Sequence, residues 1–507
     1  MPDQPLLCGI DAGTSRVRVL IFDPTGRPVA EAAEPTPTRQ LGPGVAEHDP
    51  EALWAAVLRS LRAAAAQVER PERVRSIAVA SFGEAGVLVD AAGGTLCPIL
   101  AWYDTRTGPE LDRLLDRVGF ERLHRITGLC PDPTFTLLKL AWLKRHLPRA
   151  VERAAAWLNV GDFITWRLGG RMATDLSLAS RTMALDLVAR RWSAELLEAA
   201  GVPERLMQAP TGSGSPLGTL APEVAAVTGL SPGVVIGTGG HDHFCGMLAV
   251  GADRPGVLLD SMGTAEALTL VLAAPSTDPE LGREGFNQGV ILVERPLYYL
   301  FGGVPTSAAA VEGFRALWGR GVAHEALIAE AEAVPPGSFG TLFLPHLRIG
   351  APPFPDPVSR GAFLGLSDAA GRGVLFRALL EGLALDAAQM LDSMCRRLAV
   401  PPPERLIAIG GSTRNPLLMR LKASLFDRPI EIAAVSEATC LGAALLGGLA
   451  AGVFGGLREA RAAMVPTFRR VEPDPDWPKQ RRRALREVYV AAHAAVRPLH
   501  ARLAADR

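Results

Sequence analysis

The sequence predicts an α/β chain of two domains, each a mixed β-sheet flanked by helices. Three observations carry this reading. The chain has 507 residues, too many for one ordinary core, and two domains of about 200–250 residues are the natural division. Short apolar runs of strand character alternate with segments of helical periodicity. Two glycine-threonine turns, Asp11-Ala12-Gly13-Thr14-Ser15 and Ser261-Met262-Gly263-Thr264-Ala265, stand half a chain apart, each behind an apolar run. A chain that builds the same turn twice has two related halves facing one cleft. Exposed backbone N–H groups in such turns bind anions, phosphate being the usual one.

Taken in order, residues 6–10 and 17–22 read as strands joined by the first turn, and Pro24-Thr25-Gly26-Arg27 leads into a third strand around 28–33. Residues 51–68 have helical periodicity, with Asp49-Pro50 as cap and first-turn proline. Strands follow at 74–80 and 87–89, separated by Ser81-Phe82-Gly83-Glu84-Ala85-Gly86, and 110–153 is mainly helical. Residues 212–216 through 231–233, rich in Gly, Ser and Pro, read as a linker. A strand at 234–237 runs into the polar island Gly240-His241-Asp242-His243, and a helix comes next. Strand, glycine-threonine turn and strand recur at 257–260 and 267–271, a repeat of architecture and not of sequence. The remainder reads as strand 404–409 ending in Gly410-Gly411-Ser412, helix 415–425, strand 429–433, helix 442–449 and a basic amphipathic helix over 480–507.

Composition excludes some functions. Apolar residues make up 48% and charged residues 21%, and the formal net charge is zero, so no basic field exists to hold nucleic acid or an acidic membrane. No segment approaches the roughly 20 uninterrupted apolar residues that span a bilayer. The N-terminus lacks a basic n-region, and its short apolar run breaks at Asp11, which marks a first strand and not a signal peptide. Six scattered cysteines without a Cys-x-x-Cys pair read as reduced, buried thiols of a cytoplasmic enzyme.

Several segments together, in order from residue 6 to residue 450, resemble the FGGY carbohydrate kinases of the actin/hexokinase/Hsp70-like ATPase superfamily. Asp11-Ala12-Gly13-Thr14-Ser15-Arg16-Val17-Arg18 is similar to the family's first phosphate motif, and Ala101-Trp102-Tyr103-Asp104-Thr105-Arg106 to its Trp-x-Asp-x-Arg segment. Gly240-His241-Asp242 occupies the place of its catalytic Asp, and Ser261-Met262-Gly263-Thr264 that of its second phosphate motif. Arg360-Gly361-Ala362-Phe363-Leu364-Gly365-Leu366 resembles the segment that helps name the family. Gly410-Gly411-Ser412-Thr413-Arg414-Asn415 resembles its adenosine motif, and 437–444 the downstream helix. The resemblance implies two actin-like (ribonuclease H-like) domains, over 1–248 and 249–455, with the active site between them and a helical tail, 456–507, on the second. It implies ATP and Mg²⁺ as cofactors, a small sugar or polyol as acceptor, and allows a homodimer.

Phosphoryl transfer is mostly positioning plus charge stabilisation. Gly13 and Gly263 allow close backbone approach to phosphate, and Thr14, Ser15 and Thr264 add hydroxyl donors. Arg18 belongs to the same motif. Asp11, ending a strand at the mouth of the turn, is placed to hold Mg²⁺ through water; the alternative is an Asp that caps the turn. Asp242 is the candidate general base, since a sugar hydroxyl needs an acceptor for its proton. The alternative is a metal site of His241, Asp242 and His243, the two imidazoles pointing the same way along a strand. His243 is otherwise placed to touch the acceptor.

Glu84, Trp102, Asp104 and Thr134 fall where relatives bind their substrate. Glu84 stands where glycerol kinases carry Glu and xylulose kinases His, but the Arg before that Glu is Gly83 here, so neither pattern is matched. Gly-His-Asp leans toward the fuculose- and rhamnulose-type kinases. Trp102 either covers an apolar sugar face or belongs to the core, and Arg106 either meets substrate or only orients Asp104. Gly410, Gly411, Asn415 and Ser307 are the candidate adenosine walls. The competing functions are a non-catalytic ATP- or sugar-binding sensor and a metal-dependent hydrolase.

Overall fold

The computed structural model describes residues 4–263, 265–368, 370–435, 437–464 and 466–505. Asp49 accepts a hydrogen bond from the Ala52 N–H, Pro50 opens the first turn, and helix α1 (Pro50–Ala65) turns Leu53, Trp54, Val57 and Leu61 into the core. It covers one face of a six-stranded sheet. That sheet holds β1 (Leu6–Ala12), β2 (Arg16–Phe22), β3 (Pro28–Pro35), β4 (Val74–Ser81), β5 (Pro216–Thr219) and β6 (Val235–His241) in the order β5-β6-β4-β1-β2-β3. The pairs β1–β2, β2–β3 and β5–β6 are antiparallel, and β1–β4 and β4–β6 parallel. All seven residues of β1 are buried, as a central strand covered on both faces requires.

The second sheet repeats the plan. Strands β7 (Val257–Met262), β8 (Glu266–Leu272), β9 (Asn287–Val293), β10 (Arg295–Val304), β11 (Arg405–Ile409), β12 (Ile430–Ala433) and β13 (Phe468–Val471) are ordered β9-β10-β8-β7-β11-β12-β13. Again a hairpin, β7–β8, is followed by parallel pairing, β7–β11–β12. Two such mixed sheets flanked by helices make the actin-like two-domain α/β architecture. Each half has its own apolar core.

A third cluster joins them, built on helices α2 (Asp242–Ala249) and α3 (Ala438–Ala450), which follow the corresponding strands β6 and β12. The two helices pack on each other, and α3 also lies on β1, β4 and β6. Glycine permits this. A Cβ on Gly442 would stand 1.8 Å from the Cys245 carbonyl oxygen, and one on Gly9 1.9 Å from that of Cys440. Backbone cannot move aside as a side chain can. Gly442→Ala is expected to cost about 3 kcal/mol or more, while Gly108→Ala, which meets nothing within 4 Å, stays within about 0.5 kcal/mol of wild type. Thermal unfolding of both variants checks this.

The structure departs from the sequence reading in places. The supposed linker holds β5 and a helix, Pro222–Thr228, because its Gly-rich composition serves edge pairing with β6. β6 runs four residues further than expected, to His241, and α3 starts four residues earlier, at Ala438. The tail helix α4 (Lys479–Ala505) packs on a 27-residue helix, Arg372–Leu398. All six cysteines are free; Cys130 and Cys395 are half-buried and the others buried. Among the described residues no helix is long and apolar enough to cross a membrane.

Candidate active site

The hairpin register sets the first cluster. Asp11 on β1 pairs directly with Arg18 on β2, so the seven-residue spacing places carboxylate and guanidinium side by side, Arg18 Nη1 3.5 Å from Asp11 Oδ2. Arg18 Nε lies 3.6 Å from Glu437, just before α3. Asp11 is buried, and its Oδ1 has no hydrogen-bond partner in the protein. Burial first, then the nearby Asp242 carboxylate, pushes the Asp11 carboxyl up to about 8, with Arg18 opposing. An orphaned carboxylate oxygen in an anionic pocket fits a hard cation held by oxygen ligands.

The sign of the linkage is definite. A carboxyl raised from 3.8 unfolded to about 8 folded binds more protons in the folded state across that range, so it costs stability as pH rises through it. Asp11→Asn is expected to flatten this dependence and to stabilise the metal-free protein at pH 8 by about 1–3 kcal/mol. Thermal unfolding between pH 4 and 8 is the measurement.

Gly13 closes the first turn by donating its N–H to the Arg16 carbonyl at 3.1 Å, and Ser15 is exposed. The Thr14 hydroxyl accepts from Trp102 Nε1 at 2.9 Å, so the first turn and the Trp102 segment are tied together. In the second half, Thr264 lies outside the described residues. Gly263, Ser307, Gly411 and Asn415 line one cavity of about 300 Å³ with Val311 and Leu418. Gly410 has φ +98°, and a Cβ there would stand 2.4 Å from the Met262 carbonyl oxygen. It does not line the cavity; it lets the chain cross β7 and bring Gly411 to the wall. The Asn415 side chain caps the next helix, Pro416–Phe426, by accepting from the Leu418 N–H.

Asp242 is the first residue of α2, directly after β6. Its Oδ1 accepts the His243 N–H at 2.7 Å and lies 2.8 Å from His241 Nδ1. Burial pushes the carboxyl up, but the flanking histidines and these hydrogen bonds outweigh it and hold Asp242 below the usual carboxylate range. His243 is itself pushed down by burial. The strand argument for a shared metal does not apply, because His241 ends the strand and His243 is helical. Among the described residues no group of three or more His, Cys, Asp or Glu is arranged to hold a metal ion.

Glu84 is buried with φ +58°, and its Oε1 accepts from Arg181 Nε at 2.6 Å. Lys139, fully buried, donates to the carbonyls of Glu84, Ala101 and Trp102 and so fixes this segment. Its ammonium is pushed down to about 7 by burial. Gly83 has a local reason: a Cβ there would stand 2.8 Å from the His241 ring. Trp102 is half-buried against the first core. Asp104 is a correction. It is fully buried, and its two oxygens accept from Arg106 N, Nε and Nη2 and from the Ala46 N–H, so both are spent on bracing the loop. Thr134 donates its hydroxyl to Asp132 within a turn that places Phe135 against Arg181.

Sequence reasoning missed Arg181, Lys139, Phe301 and Lys422. Lys422 is fully buried between Asp260 and Glu266, and Glu266 accepts from the Ser307 hydroxyl at 2.9 Å. The one available signal was an ionic residue inside a nearly all-apolar helix, as at Arg-Leu-Lys-Ala-Ser-Leu-Phe around Lys422.

Fold and cleft thus define a two-domain α/β phosphotransferase of actin-like build. Residues 6–249 match the N-terminal domain of the FGGY family of carbohydrate kinases, and residues 259–451 its C-terminal domain. The chain is 30% identical over 476 residues to an L-fuculokinase of Escherichia coli K12, covering 93% of this chain and 98% of that one. It is 33% identical over 464 residues to a glycerol kinase of Gloeobacter violaceus, covering 90% of each. A gluconate kinase structure from Lactobacillus acidophilus shares the fold, with TM-score 0.90 at 21% identity over 99% of this chain and 100% of that one. The chain belongs to the FGGY family of carbohydrate kinases. It is a phosphotransferase with an alcohol group as acceptor, of a family that uses ATP as phosphoryl donor.

Proposed function

We propose that this kinase phosphorylates a hydroxyl of a small ketose or polyol, a ketopentose or deoxyketohexose being the leading class, with Mg·ATP held between the halves. Asp242 is the general base. The observation that carries this is its carboxylate at the start of α2, oriented through one oxygen by the His243 N–H at 2.7 Å and by His241 Nδ1 at 2.8 Å, with the side chain partly exposed. Gly13, Thr14, Ser15 and Arg18 face the phosphates from one side, and Gly263 with Thr264 from the other. Ser307, Gly411 and Asn415 take the adenosine, with Gly410 shaping that wall. Asp11 would hold Mg²⁺, which supplies charge neutralisation at the phosphates. Glu84, Trp102, Thr134 and His243 form the acceptor side. In this reading the halves divide near 248 and 455, work in the cytoplasm, and close over the cleft to exclude water.

The test is ADP release with Mg·ATP against glycerol, erythritol, xylitol, D- and L-xylulose, D- and L-ribulose, L-fuculose, L-rhamnulose and D-gluconate. One acceptor raising the rate by orders of magnitude is the expected result. A flat panel with nucleotide bound supports a sensor instead; a flat panel without nucleotide binding ends the reading.

A further inference from the structure

The Arg181 guanidinium carries a donor that the protein does not use. Arg181 is 9% exposed, and its Nη1 is buried without a hydrogen-bond partner. A buried, unpaired guanidinium N–H is costly and calls for a ligand. The group is fixed on three sides. Its Nε is held by Glu84, and its Cζ lies 5.2 Å from the Phe135 ring centroid and 5.5 Å from that of Phe301. Phe301 comes from β10 of the second sheet and also packs on His243 at 5.6 Å. The guanidinium therefore stands on the acceptor side of Asp242, beneath a ring from the opposite half. Position 83 has no room for a side chain beside His241, so a cationic group can reach this place only from elsewhere in the chain.

We propose that Arg181 is an acceptor-binding, specificity-determining residue whose Nη1 donates to a hydroxyl or carbonyl oxygen of a neutral sugar or polyol. This rests on the kinase reading above. Neutrality follows from the local pairing. Glu84 already compensates Arg181, and Asp132 adds a further negative charge beside it. Lys139, the other buried cation beside Glu84, spends its donors on three backbone carbonyls, so an aldonate carboxylate would find no free cation to pair with, whereas an uncharged oxygen needs only the one Nη1 donor.

The probes are the best neutral acceptor of the panel, its monodeoxy analogues and D-gluconate, compared in wild type, Arg181→Met and Arg181→Lys. In Arg181→Met the acceptor KM is expected to rise roughly 10- to 100-fold, with the ATP KM within about twofold of wild type. One monodeoxy analogue is then used equally by wild type and variant, because the oxygen that Arg181 meets is already missing. An equal loss on every analogue, or D-gluconate as the best wild-type acceptor, overturns the proposal. If Arg181→Met does not fold, Arg181→Lys, which keeps the charge but not the fork, carries the same comparison. A wild type inactive on every acceptor defeats the kinase reading itself; an active wild type whose variants keep the acceptor KM defeats this inference alone.

Discussion

Asp242→Asn is expected to lower kcat by roughly 10²–10⁴ while nucleotide affinity is kept. The carboxylate is oriented through one oxygen by the His243 N–H and by His241 Nδ1, and its side chain is 27% exposed. Asn fills the same volume but cannot take a proton at useful pH. Calorimetric titration with Mg·ADP separates binding from chemistry, and more than a tenth of wild-type turnover in a well-folded variant would sink the base assignment. The pH profile adds a second reading. Because Asp242 is held low, the acid limb of kcat/KM lies below the ordinary carboxylate range. His241→Phe keeps a ring but removes one of the groups that lower it, so the acid limb moves up.

Lys422→Met is expected to destabilise the protein by about 3–5 kcal/mol, which for a half of this size is roughly a 10 °C fall in Tm. The substitution strands two fully buried carboxylates, Asp260 and Glu266, that share one ammonium. Burial already pushes Asp260 up to about 7, with Lys422 opposing and Glu266 assisting. With a folded value above the unfolded 3.8, Asp260 costs stability as pH rises through that window. Losing the lysine steepens the cost. The variant therefore approaches wild type near pH 5 and falls furthest behind it at pH 8. Adding Asp260→Leu and Glu266→Leu recovers much of the loss, since an apolar trio has no charge to strand. Nucleotide affinity drops as well, because Glu266 holds the Ser307 hydroxyl at the cavity wall. A variant with unchanged Tm at pH 8 would refute the account.

What the sequence made legible were local features with local causes. The Asp49-Pro50 cap, both hairpins and the Asp11-to-Arg18 spacing each depend on residues within one turn or one register. Glycine-rich turns also announced themselves, and four of the candidate adenosine and phosphate residues do meet in one cavity. Long-range pairs were illegible. Glu84 and Arg181 are 97 positions apart, and Lys422 and Asp260 are 162 apart; nothing in a single sequence marks such partners. Asp104 misled for the same reason, since its saturation depends on Ala46, 58 positions away. The hairpin of β9 and β10 carries no glycine-asparagine turn signal, as Glu294 adopts the left-handed backbone in its place at φ +58°.

The crossing of α2 and α3 has a mechanical meaning. At Gly442 against Cys245, and at Gly9 against Cys440, backbone meets backbone with no rotamer to exchange, so the halves are held there by contacts that cannot give way as side chains do. Asp242 opens one of the two helices and Glu437, which holds Arg18 beside Asp11, precedes the other. Asp242 and Glu437 therefore stand within two turns of the tightest backbone contact between the halves.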